Sequence, residues 1–139
     1  VCKVVVNLVK TYPKLFIPIN NLQGVINEWI DKWFKGRFRI LLISGEGYHA
    51  TTMLENAYLG SSAAYNFIAE TEDVHCQFAI KIYNGDSKYS VSIDNEEVTN
   101  PENGFKVPEG SELKIFVKTN LWLVSGDPTS YAEFYLYVD

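Results

Sequence analysis

Few residues in this chain have the chemistry to form a catalytic or metal centre. His49 and His75 are the only imidazoles, and Cys2 and Cys76 the only thiols. A zinc site would have to draw Cys2, His49 and either Cys76 or His75 from distant segments, because no Cys-x-x-Cys spacing occurs. His75 and Cys76 are neighbours in an alternating stretch, so they face opposite ways and make a poor chelating pair. The stretch "ISGEGYH", Ile43 to His49, comes closest to a nucleophile elbow. That motif needs Ser between its glycines, and Glu46 stands there instead. A phosphate cradle would need the glycines to lead into a helix. Here they lead into "YHATTM", which reads as a strand.

Acidic residues crowd one region: Asp94, Glu96, Glu97, Glu102, Glu109 and Glu112, with Lys106 the only base among them. Calcium takes oxygen ligands from such loops. The EF-hand spacing is absent, and a solvated acidic loop is the plainer reading. Paired carboxylates for glycoside hydrolysis would need a cleft between them, and no spacing here places two across one. The expectation is no catalytic residue, no metal and no cofactor. Two cysteines allow at most one bridge. Cys76 reads as core because its inward companions are apolar, and whether Cys2 lies beside it stays open.

The tyrosines carry more information. Tyr131, Tyr135 and Tyr137 share one face of the last strand, and Tyr83 sits with Lys81 on the polar-side face of another. Tyrosine is a residue of contact surfaces, apolar in body and polar at its tip. These four are the candidate interaction surface. Two plainer readings are high β propensity and coverage by the N-terminal segment. Aromatic sheet faces also stack on sugars.

Elements must hold these residues in place. "VCKVVVNLV" is β-branched and apolar on both faces, which predicts a strand buried on both sides. Such a strand must be covered, either centrally in its own sheet or by insertion into a neighbouring subunit's sheet. Leu22, Val25, Ile26, Trp29, Ile30, Trp33 and Phe34 then form a helical stripe, with Asn20 or Asn21 to cap it and Gly36 to end it. Packing against a sheet is its expected use, rather than lying on a membrane. From Arg37 onward the period is two. Val74, Cys76, Phe78, Ile80 and Ile82 alternate with His75, Gln77, Ala79, Lys81 and Tyr83. Asn84-Gly85 is a hairpin signal, and Asp94-Asn95 and "NPENG" are further turns. Leu113, Ile115 and Val117 form one inward row, and Ala132, Phe134, Leu136 and Val138 another.

About seven short strands between Ala64 and Val138 predict an antiparallel two-sheet sandwich. The "VPEGSELKIFV" stretch resembles the rhythm of Ig-like and jelly-roll modules. The expected organisation is one domain over 1–139, with an N-terminal strand and helix (1–36) packed on a β-sandwich (37–139).

Net charge is −5 from 12 Lys/Arg and 17 Asp/Glu, which disfavours nucleic acid as a partner. Residues 1–43 hold seven of the bases and two of the acids. A basic part and an acidic part can meet within a fold or between subunits. No apolar run reaches a membrane span. The composition, rich in Tyr, Asn, Val and Ile, resembles that of virion and surface-filament proteins. The expected function is a non-catalytic structural or assembly protein, extracellular or on a virion surface. Its partners would be other protein subunits in a homo-oligomer or larger assembly. The runner-up is an extracellular β-sandwich module that binds carbohydrate.

Overall fold

The structure, a computed structural model, describes residues 2–11, 16–20, 39–54, 62–83, 87–119 and 130–139. Among the described residues, one α-helix, α1 (Cys2–Thr11), is followed by ten strands. These are β1 (Phe16–Asn20), β2 (Ile40–Leu41), β3 (Gly47–Leu54), β4 (Ser62–Ile68), β5 (Val74–Tyr83), β6 (Ser87–Ile93), β7 (Glu96–Glu97), β8 (Phe105–Val107), β9 (Glu112–Thr119) and β10 (Ser130–Val138). They form two five-stranded sheets, β1-β3-β10-β5-β8 and β2-β4-β9-β6-β7. The expected two-sheet sandwich is the fold found.

The pairing decides between the two sandwich types. Counted from β3, the first strand pairs with the eighth, the second with the seventh, the third with the sixth and the fourth with the fifth. That is one long hairpin. Rolling it up adds the pairs β10–β5 and β9–β6. The result is a jelly roll. β1 joins it in parallel beside β3, and β2 in parallel beside β4. The sandwich therefore begins before residue 37, at Phe16.

Strict alternation builds the core. Leu113, Ile115 and Val117 of β9 are fully buried, as are Leu136 and Val138 of β10. Each such side chain contributes about 1.5–3 kcal/mol of hydrophobic stabilisation. Phe134 is the hub: its ring meets Tyr65 at 5.2 Å and Phe67 at 6.5 Å, both edge-on. The phenol of Tyr65 is buried and is satisfied by Thr52 at 2.6 Å. Cys76 is a free, fully buried thiol, and burial, with Asp139 nearby, pushes its pKa up to about 12.

Two expectations are corrected. The described part of "VCKVVVNLV", residues 2–9, is not a strand but most of helix α1. A short apolar run fits either element, and the tertiary context chose. Val5 and Leu8, at i and i+3, are buried against Ala79, with Val9 beside them. A helix of ten residues is marginal alone, so this packing holds it. Ala79 is the small residue of the outward row of β5, and it lets the helix approach the sheet. The insertion of this segment as a strand into a neighbouring sheet falls with the correction. Cys76 points into the core, while Val5, Leu8 and Val9 of α1 pack on the opposite face of the same sheet; the Cys2 side chain lies outside the described residues.

The second correction concerns Asn84-Gly85. β5 and β6 do not form a hairpin: they lie in different sheets. Residues 84–86 themselves lie outside the described residues. The positive-φ turn that does close a hairpin is Asp94-Asn95, with φ of 49° and 69°, between β6 and β7. The helical stripe Leu22–Phe34 and the strand expected in "NLWLV" also lie outside the described residues.

Candidate functional site

Two outer faces remain after the core is built. On the first sheet, register aligns side chains in ranks across β3, β10 and β5. One rank is Thr51, Glu133 and Lys81, the next is His49, Tyr135 and Ala79, and the third is Gly47, Tyr137 and Gln77. The Nε2 of His49 meets a carboxylate oxygen of Glu133 at 2.8 Å, and the Thr51 hydroxyl donates to the same oxygen at 3.5 Å. The His49 ring stacks on Tyr135 with centroids 4.4 Å apart, and Phe16 of β1 meets Tyr135 edge-on at 5.0 Å.

The candidate tyrosines thus separate. Tyr135 and Tyr137 are half-buried in the small cluster under α1, with Phe16 and Val9. Tyr131 is also half-buried, one rank beyond Glu133 and opposite Tyr83 in the register. Nothing in the strand pattern announced the His49–Glu133 pair. The alternation put Glu133 on the tyrosine face, but its partner lies 84 residues away in sequence, and only the first-with-last pairing of the roll joins them. His75 makes a separate pair, Nδ1 to Asp139 at 2.8 Å, at the exposed end of β5. The two imidazoles therefore serve different carboxylates and share no site. Among the described residues, no group of three or more His, Cys, Asp and Glu side chains is placed to hold a metal ion.

The acidic residues serve turns. The Asp94 carboxylate accepts the Glu112 backbone N–H at 2.9 Å, and this bond, with one from Ser111, holds its pKa below the ordinary carboxylate value. Asp73 accepts the Glu109 N–H at 2.7 Å and pairs with Lys106 at 3.1 Å. Those contacts lower its pKa too, the backbone bond first. The Tyr89 hydroxyl donates to Glu102 at 2.9 Å. Partial burial, together with that carboxylate, raises the phenol to about 12.

On the second sheet, the outward residues of β9 are Glu112, Lys114, Phe116 and Lys118, and those of β6 are Lys88, Ser90 and Ser92. Arg39 reaches Glu112 at 3.2 Å, and the Lys114 ammonium lies 5.3 Å from the centre of the Phe116 ring. A polar groove of about 100 Å³ opens between Asp94, Asn95, Glu112 and Lys114. On β4, Ala64 and Asn66 also face outward yet are buried. Among the described residues, no helix is long and apolar enough to cross a membrane. No family model, no curated protein and no solved structure matches this chain.

Proposed function

We propose that the chain is a non-catalytic structural protein that works by assembly, as a virion component of capsid or turret type or as a surface-filament subunit. Jelly rolls occur in capsids and in lectins alike, so the fold does not choose between assembly and sugar binding. The observation that carries the reading is a set of exposed aliphatic side chains on and beside the two edge strands. Ile17, Leu41 and Ile43 are 45%, 41% and 43% exposed. Ile17 lies on edge strand β1 and Leu41 on edge strand β2, with Ile43 two residues beyond it; Tyr48 pairs with Ile17 and donates its hydroxyl to the Leu41 carbonyl. Exposed aliphatic residues on or beside edge strands favour a protein partner.

The carbohydrate reading has the polar groove in its favour. At about 100 Å³ it is smaller than the roughly 300 Å³ at which small-molecule sites begin. The test is the mass of the native particle in solution. The reading expects a regular multiple of the 15.8 kDa chain that grows with concentration. A monomer at every concentration that binds oligosaccharides would replace it with the sugar-binding module.

A further inference from the structure

The outer face of the second sheet has an electrical polarity along its strands. At one end Lys88 lies directly opposite Lys118 in the β6–β9 ladder. Both are exposed, and among the described residues neither has an acidic partner. Like charges directly opposite on a sheet face are destabilising. At the other end of the same two strands the signs reverse. Asp94 and Glu112 lie side by side, joined by the backbone bond from Asp94 N to Glu112 O, with Glu97 of β7 next to Ser92. Arg39 offsets part of that charge through Glu112. The two ends are six residues apart, about 20 Å along an extended strand. Between them lies Phe116 with Lys114 over its ring, bordered on β6 by Ser90 and Ser92.

We propose that this face binds a second copy of the chain, face to face and related by a two-fold axis through the Val91–Ile115 rank. The proposal rests on the assembly reading above and adds a contact surface apart from the exposed aliphatic residues of β1 and β2. The geometry follows from the register. A two-fold axis lying in the interface, across the strands, sets β9 against β9 and β6 against β6 with direction reversed. Counting three residues either side of Ile115, Lys118 of one copy meets Glu112 of the other. Counting three either side of Val91, Lys88 meets Asp94. Phe116 falls opposite the partner's Lys114, a cation–π contact. A two-fold interface requires a self-complementary patch, and this one complements itself at both charged ends. Because Ala64 and Asn66 are already buried, the contact centres on β9 and β6. Such an area is small beside the standard ~1,600 Å², so the dimer is weak and sensitive to salt.

Sedimentation equilibrium up to millimolar protein tests this, using wild type, Lys88→Glu/Lys118→Glu, Asp94→Asn/Glu112→Gln and a control, Lys10→Glu on α1. Asn at 94 keeps the positive-φ turn and an oxygen acceptor for the Glu112 N–H, so this second variant guards against a folding artefact. The expected result is a wild-type dimer that weakens with salt. The lysine reversal should raise its dissociation constant about tenfold or more, with a smaller rise for the neutralised pair and none for Lys10→Glu. An equimolar mixture of the two double variants should recover part of the dimer, because one of its two contact sets is again opposite in sign. Wild-type assembly that the lysine reversal leaves unchanged would overturn this face and leave the assembly reading standing. A wild type monomeric to millimolar concentration would overturn both. A monomer retained by a sulfated glycan through Lys88 and Lys118 would assign the face to an anionic ligand and overturn the proposal.

Discussion

The two outer faces of this sandwich meet the same problem in different ways. Each sheet presents a row of side chains away from the core, and each row contains aromatic and charged residues. On the first sheet the chain covers its own face. Helix α1 lies on Ala79, Tyr135 and Tyr137, and the nearby charge is paired, Glu133 with His49. On the second sheet, β9 and β6 carry charges of one sign at each end, and the lysine end has no acidic partner among the described residues. A covered face contributes to folding. A face whose lysine end meets acid only when a second copy is reversed upon it points to assembly.

The shared core sets the largest effect. Phe134→Ala removes the ring that both sheets pack upon, and it should cost about 3–5 kcal/mol, read as a shift in urea midpoint without a change of slope. Both faces would be lost together. The next effect separates them. Leu8→Ala should cost about 2–3 kcal/mol, with the loss confined to α1 and the face beneath it. Hydrogen exchange should speed up in residues 2–11 and leave β6 and β9 unchanged. Equal loss of protection in β9 would mean that the two faces are not independent.

A third prediction concerns alkali. Cys76 has an ordinary pKa of 9.0, raised to about 12 by burial. The unfolded chain therefore loses its thiol proton first, and the stability held below pH 9 declines as pH rises from 9 toward 12. Cys76→Ala should flatten that decline in an unfolding series across this range. Tyr89, raised from 10.0 to about 12, adds a loss of the same sign from pH 10 upward, and Tyr89→Phe isolates it. The smallest effect is a gain. Lys118→Gln removes the opposition to Lys88 and should stabilise the monomer by about 0.2–1 kcal/mol. Destabilisation instead would mean that the lysine makes favourable contacts within its own chain.

The inward rows were legible because a period of two leaves no freedom about which side chains face the core. Leu113, Ile115 and Val117, and Phe134 with its neighbours, lie where alternation put them. Register was not legible. That His49 meets Glu133, or Lys88 meets Lys118, depends on pairings set by the roll and not by local pattern. The N-terminal segment was misread because a run of valines fits a buried strand as well as a helix, and only the seat at Ala79 distinguishes them. Asn84-Gly85 misled for a related reason: a turn signal says that the chain reverses, not that the flanking strands share a sheet. Of the candidate site, the sequence offered the tyrosine face. The charged face of β6 and β9 needed the register.

The most direct test of the contrast between the faces is lysine labelling with an amine-reactive ester, read by mass spectrometry across a dilution series. The account predicts that Lys88 and Lys118 are protected at high concentration and label freely on dilution or in salt, while Lys10 labels at one rate throughout. Labelling of Lys88 and Lys118 as fast as Lys10 at every concentration would contradict it.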